Sequence, residues 1–193
     1  FYQDSEFGEA EILQISGGEP TTHPDILKII ELAISKGFKY VMLNTNGLKI
    51  ARDENFAREL GKFKGGFEIY LQFDGFDKTT YEHLRGKDIS DIKKKAINNL
   101  SKNEIPITLV ATVEKGVNDC EIGEIVEFGL NNEFIRGINF QPICFSGRLK
   151  DHDISNRLTL TGILNRIEKQ TSKSILKSDF VPLPCDVDNV AVN

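Results

Sequence analysis

Five times along the chain a short apolar run gives way to a stretch of helical periodicity. This alternation limits the available folds more than any other feature of the sequence. Glu11-Ile12-Leu13-Gln14-Ile15 reads as a strand ending at a glycine turn. From Pro24 to Lys36 apolar residues recur at Ile26, Ile29, Ile30, Ala33 and Ile34, a helical stripe with proline in its first turn and Gly37 at its close. A strand is expected over Lys39 to Leu43, a helix over Arg52 to Phe63, and a strand over Phe67 to Phe73. A longer helical stretch, Lys78 to Asn103, breaks near Gly86; its second half is apolar at Ile89, Ile92, Ala96, Ile97 and Leu100. Then come an expected strand (Pro106 to Val113), helix (Asp119 to Leu130), strand (Ile135 to Gln141) and helix (Thr159 to Gln170). Pro182 and Pro184 mark irregular structure beyond them.

Continuously apolar runs such as Val41-Met42-Leu43 and Ile107-Thr108-Leu109-Val110 suit parallel strands covered by helices. Two architectures remain on this pattern, an open doubly wound sheet and an α/β barrel, whole or partial. In both, ligands sit beyond the carboxyl ends of the strands, so the residues that follow each strand are the candidates.

The first strand runs into Ser16-Gly17-Gly18-Glu19-Pro20-Thr21. Two glycines let backbone approach a ligand closely, Glu19 offers a carboxylate to an ammonium group, and an expected helix N-terminus favours an anion. Together these suit a zwitterion such as an amino acid; the plain alternative is a βα turn. Neither the phosphate-cradling G-x-x-x-x-G-K-[ST] loop nor G-x-G-x-x-G is present. The second strand runs into Asn44-Thr45-Asn46-Gly47, in which Asn44 and Asn46 both donate and accept, and Asn46-Gly47 is a turn pair. Gln72 and Asp74 share one face at the end of the third, where a ribose diol would satisfy them. His83 reads as a surface or capping residue. Thr112 and Glu114 alternate at the end of the fourth strand, with Asn118 or Asp119 as the N-cap of the next helix. After the fifth, Arg148 reads as a carboxylate ligand or a solvated arginine. No residue is singled out as catalytic.

The chain has 24 Lys+Arg against 29 Asp+Glu, which leaves no electrostatic footprint for a nucleic-acid backbone. No apolar run approaches the roughly 20 residues that cross a bilayer, and no basic-then-apolar leader opens the chain. Cys120, Cys144 and Cys185 match no zinc or cluster spacing; so odd and sparse a set fits a reducing cytoplasm. The single methionine is Met42 and the end, Val190-Ala191-Val192-Asn193, is apolar, so both ends are expected to be cuts in a longer protein.

Gln14-Ile15-Ser16-Gly17-Gly18-Glu19-Pro20-Thr21 resembles the GGEP motif of radical S-adenosylmethionine (SAM) enzymes, which follows the second barrel strand and binds the methionyl amino group of SAM. Leu43-Asn44-Thr45-Asn46-Gly47 follows at the family's position, and Leu71-Gln72-Phe73-Asp74-Gly75 falls where the family contacts the SAM ribose. Tyr70 to Gly75, Leu84 to Asp88, Gly116 to Asp119, Asn139 to Pro142 and Asp179 to Cys185 resemble one subgroup. It holds archaeal tetraether lipid synthases and radical SAM pterin methylases.

The resemblance implies an α/β fold, a partial (β/α)6 TIM-like barrel of parallel strands with its first β-α unit missing. Residues 1–171 would form that barrel, and residues 172–193 a linker toward a further C-terminal, auxiliary-cluster region. It implies a radical SAM enzyme that cleaves SAM to a 5′-deoxyadenosyl radical and functionalises a C–H bond of a lipid or pterin-like substrate, by C–C bond formation or methylation. Ser16, Gly17, Gly18, Glu19 and Pro20 would bind the SAM amino group, with Gln72 and Asp74 near the ribose and Asn44, Asn46, Thr112 and Glu114 at the barrel mouth. The family's CxxxCxxC loop, whose thiolates hold a [4Fe–4S] cluster, would lie upstream of residue 1. Without it this fragment alone is expected to be inactive. Cys185 would be a ligand of an auxiliary iron–sulfur cluster or a plain cysteine, and ferredoxin or flavodoxin the reductant. The alternatives are a non-catalytic SAM- or metabolite-binding barrel, and a metal-dependent α/β-barrel lyase using Glu19, Asp74 and Glu114 as ligands.

Overall fold

The computed structural model describes residues 11–63, 65–144, 157–183 and 186–192. Strand β1 (Ile12–Ile15) is followed by a 3-10 turn (Pro20–Thr22) and helix α1 (Ile26–Ser35). Next come β2 (Tyr40–Thr45), α2 (Leu48–Arg52), α3 (Glu54–Leu60), β3 (Phe67–Gln72), α4 (Lys78–Arg85) and α5 (Ser90–Lys102). Then β4 (Ile107–Val113), α6 (Ile122–Leu130), β5 (Ile135–Pro142) and α7 (Leu160–Gln170) complete the strand–helix series. A 3-10 turn (Lys177–Asp179) leads into a hairpin of β6 (Phe180–Leu183) and β7 (Asp186–Val192).

Strands β1 to β5 form one sheet whose spatial order is their sequence order. β1 pairs in parallel with β2, with Ile12 opposite Tyr40 and Ile15 opposite Leu43. β2 pairs in parallel with β3, with Val41 opposite Phe67 and Thr45 opposite Leu71. β4 and β5 are joined start to start by Ile107 N–H to Phe134 O, and end to end by Ile143 N–H to Val113 O, both 2.8 Å, as parallel strands are. Each helical crossover returns the chain to the same end of the sheet, as parallel neighbours require.

Backbone packing divides the chain into two compact units. One runs to Phe73 and adds Ile89–Leu109 and Phe134–Gly137; the other takes Asp74–Asp88, Val110–Glu133 and the chain from Ile138. The division passes through β4 and β5. In the first unit the period-2 pattern is direct: Val41, Leu43, Phe67, Ile69, Leu71, Ile107 and Leu109 are buried on one face. α1 buries Ile26, Ile30 and Ala33 but leaves Ile29 37% exposed, so Ile29 lies off the stripe expected of it. In the second unit α6 and α7 are tied where Gly123 N–H donates to Gln170 Oε1 (2.7 Å) and Arg166 pairs with Asp119.

Several elements depart from the sequence reading. The helix expected from Arg52 to Phe63 is the shorter α3, and α2 precedes it where no helix was expected. Asp53 between them is extended, and its carboxylate accepts from Phe56 N–H (3.0 Å), a cap that competes with helical continuation. Pro24 does not open α1, which starts at Ile26 after Asp25. The proline-marked tail contains β6, in antiparallel pairing with β7 and with an irregular register at Pro182/Leu183. A two-stranded ribbon tolerates proline because half of its N–H groups need no partner.

On the other face of the first unit's strands Tyr40 and Thr108 both donate hydroxyl hydrogen bonds to Glu68, which is 4% exposed. Burial first, and the Glu68 carboxylate second, push Tyr40 up from 10.0 to about 12. The folded state therefore keeps a proton that the unfolded chain releases at lower pH. Tyr40's contribution is full below pH 10 and is lost as pH rises through 10 toward about 12. Melting curves between these limits should fall less steeply with pH for Tyr40→Phe than for the parent; identical slopes would remove Tyr40 as the source.

Candidate functional site

Two clusters of polar side chains gather at strand ends, one in each unit. In the first unit, β1 ends in an exposed turn. Gly17 and Gly18 have φ of +101° and +55°, values open to glycine and strained for other residues. A β-carbon built on either would meet nothing within 4 Å, so this backbone borders open space. Ser16 beside them is exposed, whereas Pro20 is buried at the start of the 3-10 turn.

Glu19 anchors this turn. Its Oε1 accepts from Thr21 N–H (3.1 Å), the Thr21 hydroxyl (2.6 Å) and the Thr45 hydroxyl (2.7 Å); its Oε2 accepts from Asn46 N–H (2.7 Å). The carboxylate therefore clamps the end of β1 to the end of β2. The helix N-terminus expected here is a three-residue 3-10 turn instead, and Glu19 itself caps it. Lys49 adds a second tie, its Nζ donating to Thr21 O (2.9 Å) from above the Phe56 ring.

Asn44 and Thr45 lie within β2, which starts one residue after the expected Lys39 and ends two residues beyond the expected Leu43. Asn44 is half-buried on the face shared with Tyr40 and Met42. The Asn46 side chain accepts from Leu48 N–H (2.9 Å), so it is occupied as a turn residue. Sequence reasoning missed two groups here. Thr45 sits in register with buried Val41 and Leu43, and a hydroxyl at such a position signals a buried acceptor. Lys93 is 0% exposed, and its ammonium donates to Asn46 O (2.6 Å) and Gln72 O (2.8 Å). Its signal was its place on the apolar stripe of α5, four residues from both Ile89 and Ile97.

In the second unit Asp74 is 0% exposed and does not present an open carboxylate. Arg85 holds it in a bidentate pair, Nε to Oδ2 and an Nη2 to Oδ1 at 2.8 Å each, and Thr112 N–H adds a third bond to Oδ1 (3.1 Å). The same Arg85 Nη2 reaches the Thr112 hydroxyl (3.2 Å). The loop after β3 is held at every step. Asn118 Nδ2 donates to Asp74 O (2.7 Å), Tyr81 OH to Gly75 O (2.9 Å), and Phe76 and Asp77 N–H to Glu121 Oε2. At Gly75 a β-carbon would fall 2.5 Å from Glu121 Oε2. Burial, more than the nearby Asp74 charge, pushes the Tyr81 phenol well above its usual range and keeps it a donor.

Asn118 and Asp119 are not helix caps. α6 begins at Ile122; Asn118 links Glu114 N–H to the carbonyls of Asp74 and Thr112, and Asp119 accepts from Gly116 N–H (2.8 Å). His83 is exposed, as its surface reading expects, and its Nε2 pairs with Glu114 at 2.9 Å. Cys120 and Cys144 are exposed. Cys185 and Arg148 lie outside the described residues. Among the described residues no group of three or more His, Cys, Asp or Glu is placed to hold a metal ion, and no helix is long and apolar enough to cross a membrane.

A family model described as the Radical SAM superfamily matches residues 3–129. The chain is 40% identical over 175 residues to 7,8-dihydro-6-hydroxymethylpterin dimethyltransferase of Methanocaldococcus jannaschii, an alignment covering 89% of this chain and 34% of that protein. It thus spans about a third of that relative's length. It superposes on a radical SAM methyltransferase from Sphaerobacter thermophilus with a TM-score of 0.62 at 16% identity, covering 91% of this chain and 52% of the other. It superposes on anSMEcpe with bound AdoMet with a TM-score of 0.61 at 19% identity, covering 83% and 44%. These likenesses show the fold, the partial α/β barrel that the family resemblance implied.

Proposed function

We infer the function from one premise: the chain belongs to the radical SAM superfamily. On that premise the protein is a radical SAM enzyme that functionalises a C–H bond, with SAM bound at the strand ends of the first unit. The observation that carries the reading is the Gly17–Gly18 turn, exposed backbone beside open space, fastened to the neighbouring strand end through Glu19. Free N–H and C=O groups with a carboxylate at their edge fit the ammonium and carboxylate of a methionyl group.

In this reading Ser16, Gly17 and Gly18 bind through their backbone. Glu19 orients that backbone first and offers its Oε2 edge second, because Oε1 already accepts three donors. Pro20 and Asn46 fix the turns, and Asn44 and Gln72 supply side chains on the strands. In the second unit Asp74, Thr112 and Glu114 build the scaffold around Arg85 and His83. Bound SAM, given one electron by a [4Fe–4S] cluster, would supply a 5′-deoxyadenosyl radical for hydrogen abstraction from substrate, with methionine as the leaving group. The described residues offer no ligand set for that cluster, whose electron would come from a ferredoxin- or flavodoxin-type donor. Cys185, which lies outside the described residues, would serve an auxiliary cluster. The substrate class is pterin-like, as the name of the M. jannaschii relative suggests, with a lipid chain as the second candidate. The metal-dependent lyase reading loses support from the protein donors that already occupy Glu19 and Asp74.

The full-length protein, reconstituted without oxygen and given SAM and dithionite, should form 5′-deoxyadenosine. Gly17→Val, which forces a β-branched residue to positive φ, should lower that yield about tenfold or more. No SAM cleavage with a fully loaded cluster would sink the radical mechanism and leave a non-catalytic SAM-binding barrel.

A further inference from the structure

Lys93 has a place in the first unit that ordinary bracing does not explain. The ladder between β2 and β3 ends with Thr45 opposite Leu71. Asn46 and Gln72 follow at the next position on the two strands, and the carbonyl oxygens of both accept from one ammonium, that of Lys93 on α5, at 2.6 and 2.8 Å. The N–H of the same Asn46 donates to Glu19 Oε2 at 2.7 Å. An unbroken series of bonds therefore runs from Glu19 through Asn46 to Lys93 and on to Gln72, with a carboxylate at one end and an ammonium inside it. It joins the turn after β1 to the ends of β2 and β3.

We propose that Lys93 is a positioning residue for SAM: it sets the spacing of the β2 and β3 ends, and through Asn46 and Glu19 the pose of the Gly17–Gly18 turn. The inference rests on the reading of that turn as the SAM site. A fully buried ammonium is costly to keep, and a methionine of similar length would fill the same space without desolvating a charge. What methionine cannot do is hold two carbonyls at one point. α5 carries its own comparison in Asn99, which is 3% exposed and donates to Ile50 O (2.9 Å), away from the strand ends. Asn99 braces the helix and has no bond to the Glu19 series.

The test is the dissociation constant for SAM, measured by equilibrium dialysis on the cluster-reconstituted full-length protein at a temperature where circular dichroism shows every variant folded. Lys93→Met should raise it about tenfold or more, since small misplacements of a binding group have effects of that size. Asn99→Ala, which also loses a buried hydrogen bond, should leave it within about twofold. Lys93→Gln keeps N–H donors on a shorter, neutral arm and should fall between the two; it carries the comparison where Lys93→Met does not fold. Hydrogen exchange at the Asn46 amide should accelerate in the Lys93 variants and not in Asn99→Ala. Unchanged SAM affinity in folded Lys93 variants, or an equal loss in Asn99→Ala, would overturn the proposal. An unsubstituted protein with a loaded cluster and no SAM affinity would instead overturn the reading of the turn and take this inference with it.

Discussion

Asp74→Ala is expected to lower stability by about 3–5 kcal/mol, because it leaves Arg85 facing a site built for a carboxylate. Asp74 is fully buried, both its oxygens are engaged by Arg85, and Thr112 N–H adds a third donor. The loss comes chiefly from the unmatched charge and the orphaned donors, not from the missing attraction. Replacing both partners separates these terms. Asp74→Leu with Arg85→Met should be markedly more stable than Asp74→Ala alone, since no buried charge then lacks a partner. Urea unfolding of the three proteins reads this directly. A single-substitution cost below about 1 kcal/mol would place the pair with exposed ion pairs, which contribute little. Glu114→Gln, at the half-open pair with His83, should change stability by less than about 1 kcal/mol in the same experiment.

Glu19→Ala should act on both stability and binding. Four donors lose their acceptor at once, two from Thr21 and one each from Thr45 and Asn46. Because the site is only partly buried, water replaces some of them, and a destabilisation of about 2–4 kcal/mol is expected. SAM affinity should fall at least about tenfold, as the Gly17–Gly18 turn loses its tie to β2. Thr45→Val removes one donor to the same oxygen and should show a smaller change in the same direction, about 1 kcal/mol. Chemical denaturation and calorimetric titration with SAM measure the two effects separately. A Glu19→Ala protein that binds SAM as the parent does would show that the turn holds its shape without the carboxylate.

The same corner shows how far residue types alone can be read. The open turn at Gly17 and Gly18 was legible because two adjacent glycines before a carboxylate have local meaning. The partners of Glu19 were not, since Thr45 and Asn46 stand 26 and 27 residues away and meet it only once β1 and β2 pair. Asp74 was legible as a strand-end acid, but its partner Arg85 sits at the last position of α4. Only the fold of that helix brings the guanidinium back onto the carboxylate, so the residue expected near the ribose is held in a buried ion pair. Lys93 is the first of three consecutive lysines and was not singled out in the sequence. Its burial depends on which way α5 faces.

The sequence by itself determined the architecture. Apolar residues in strands alternate between faces, apolar residues in helices recur on one stripe, and the order of the two leaves little besides a parallel sheet with helical crossovers. It also determined where the backbone comes open, because glycine at positive φ is a property of a few consecutive residues. The tertiary structure decided which polar side chains are available and which are consumed. Charge pairing and carbonyl satisfaction depend on distances between residues far apart in the chain, and a buried group must take whatever partner the packing delivers.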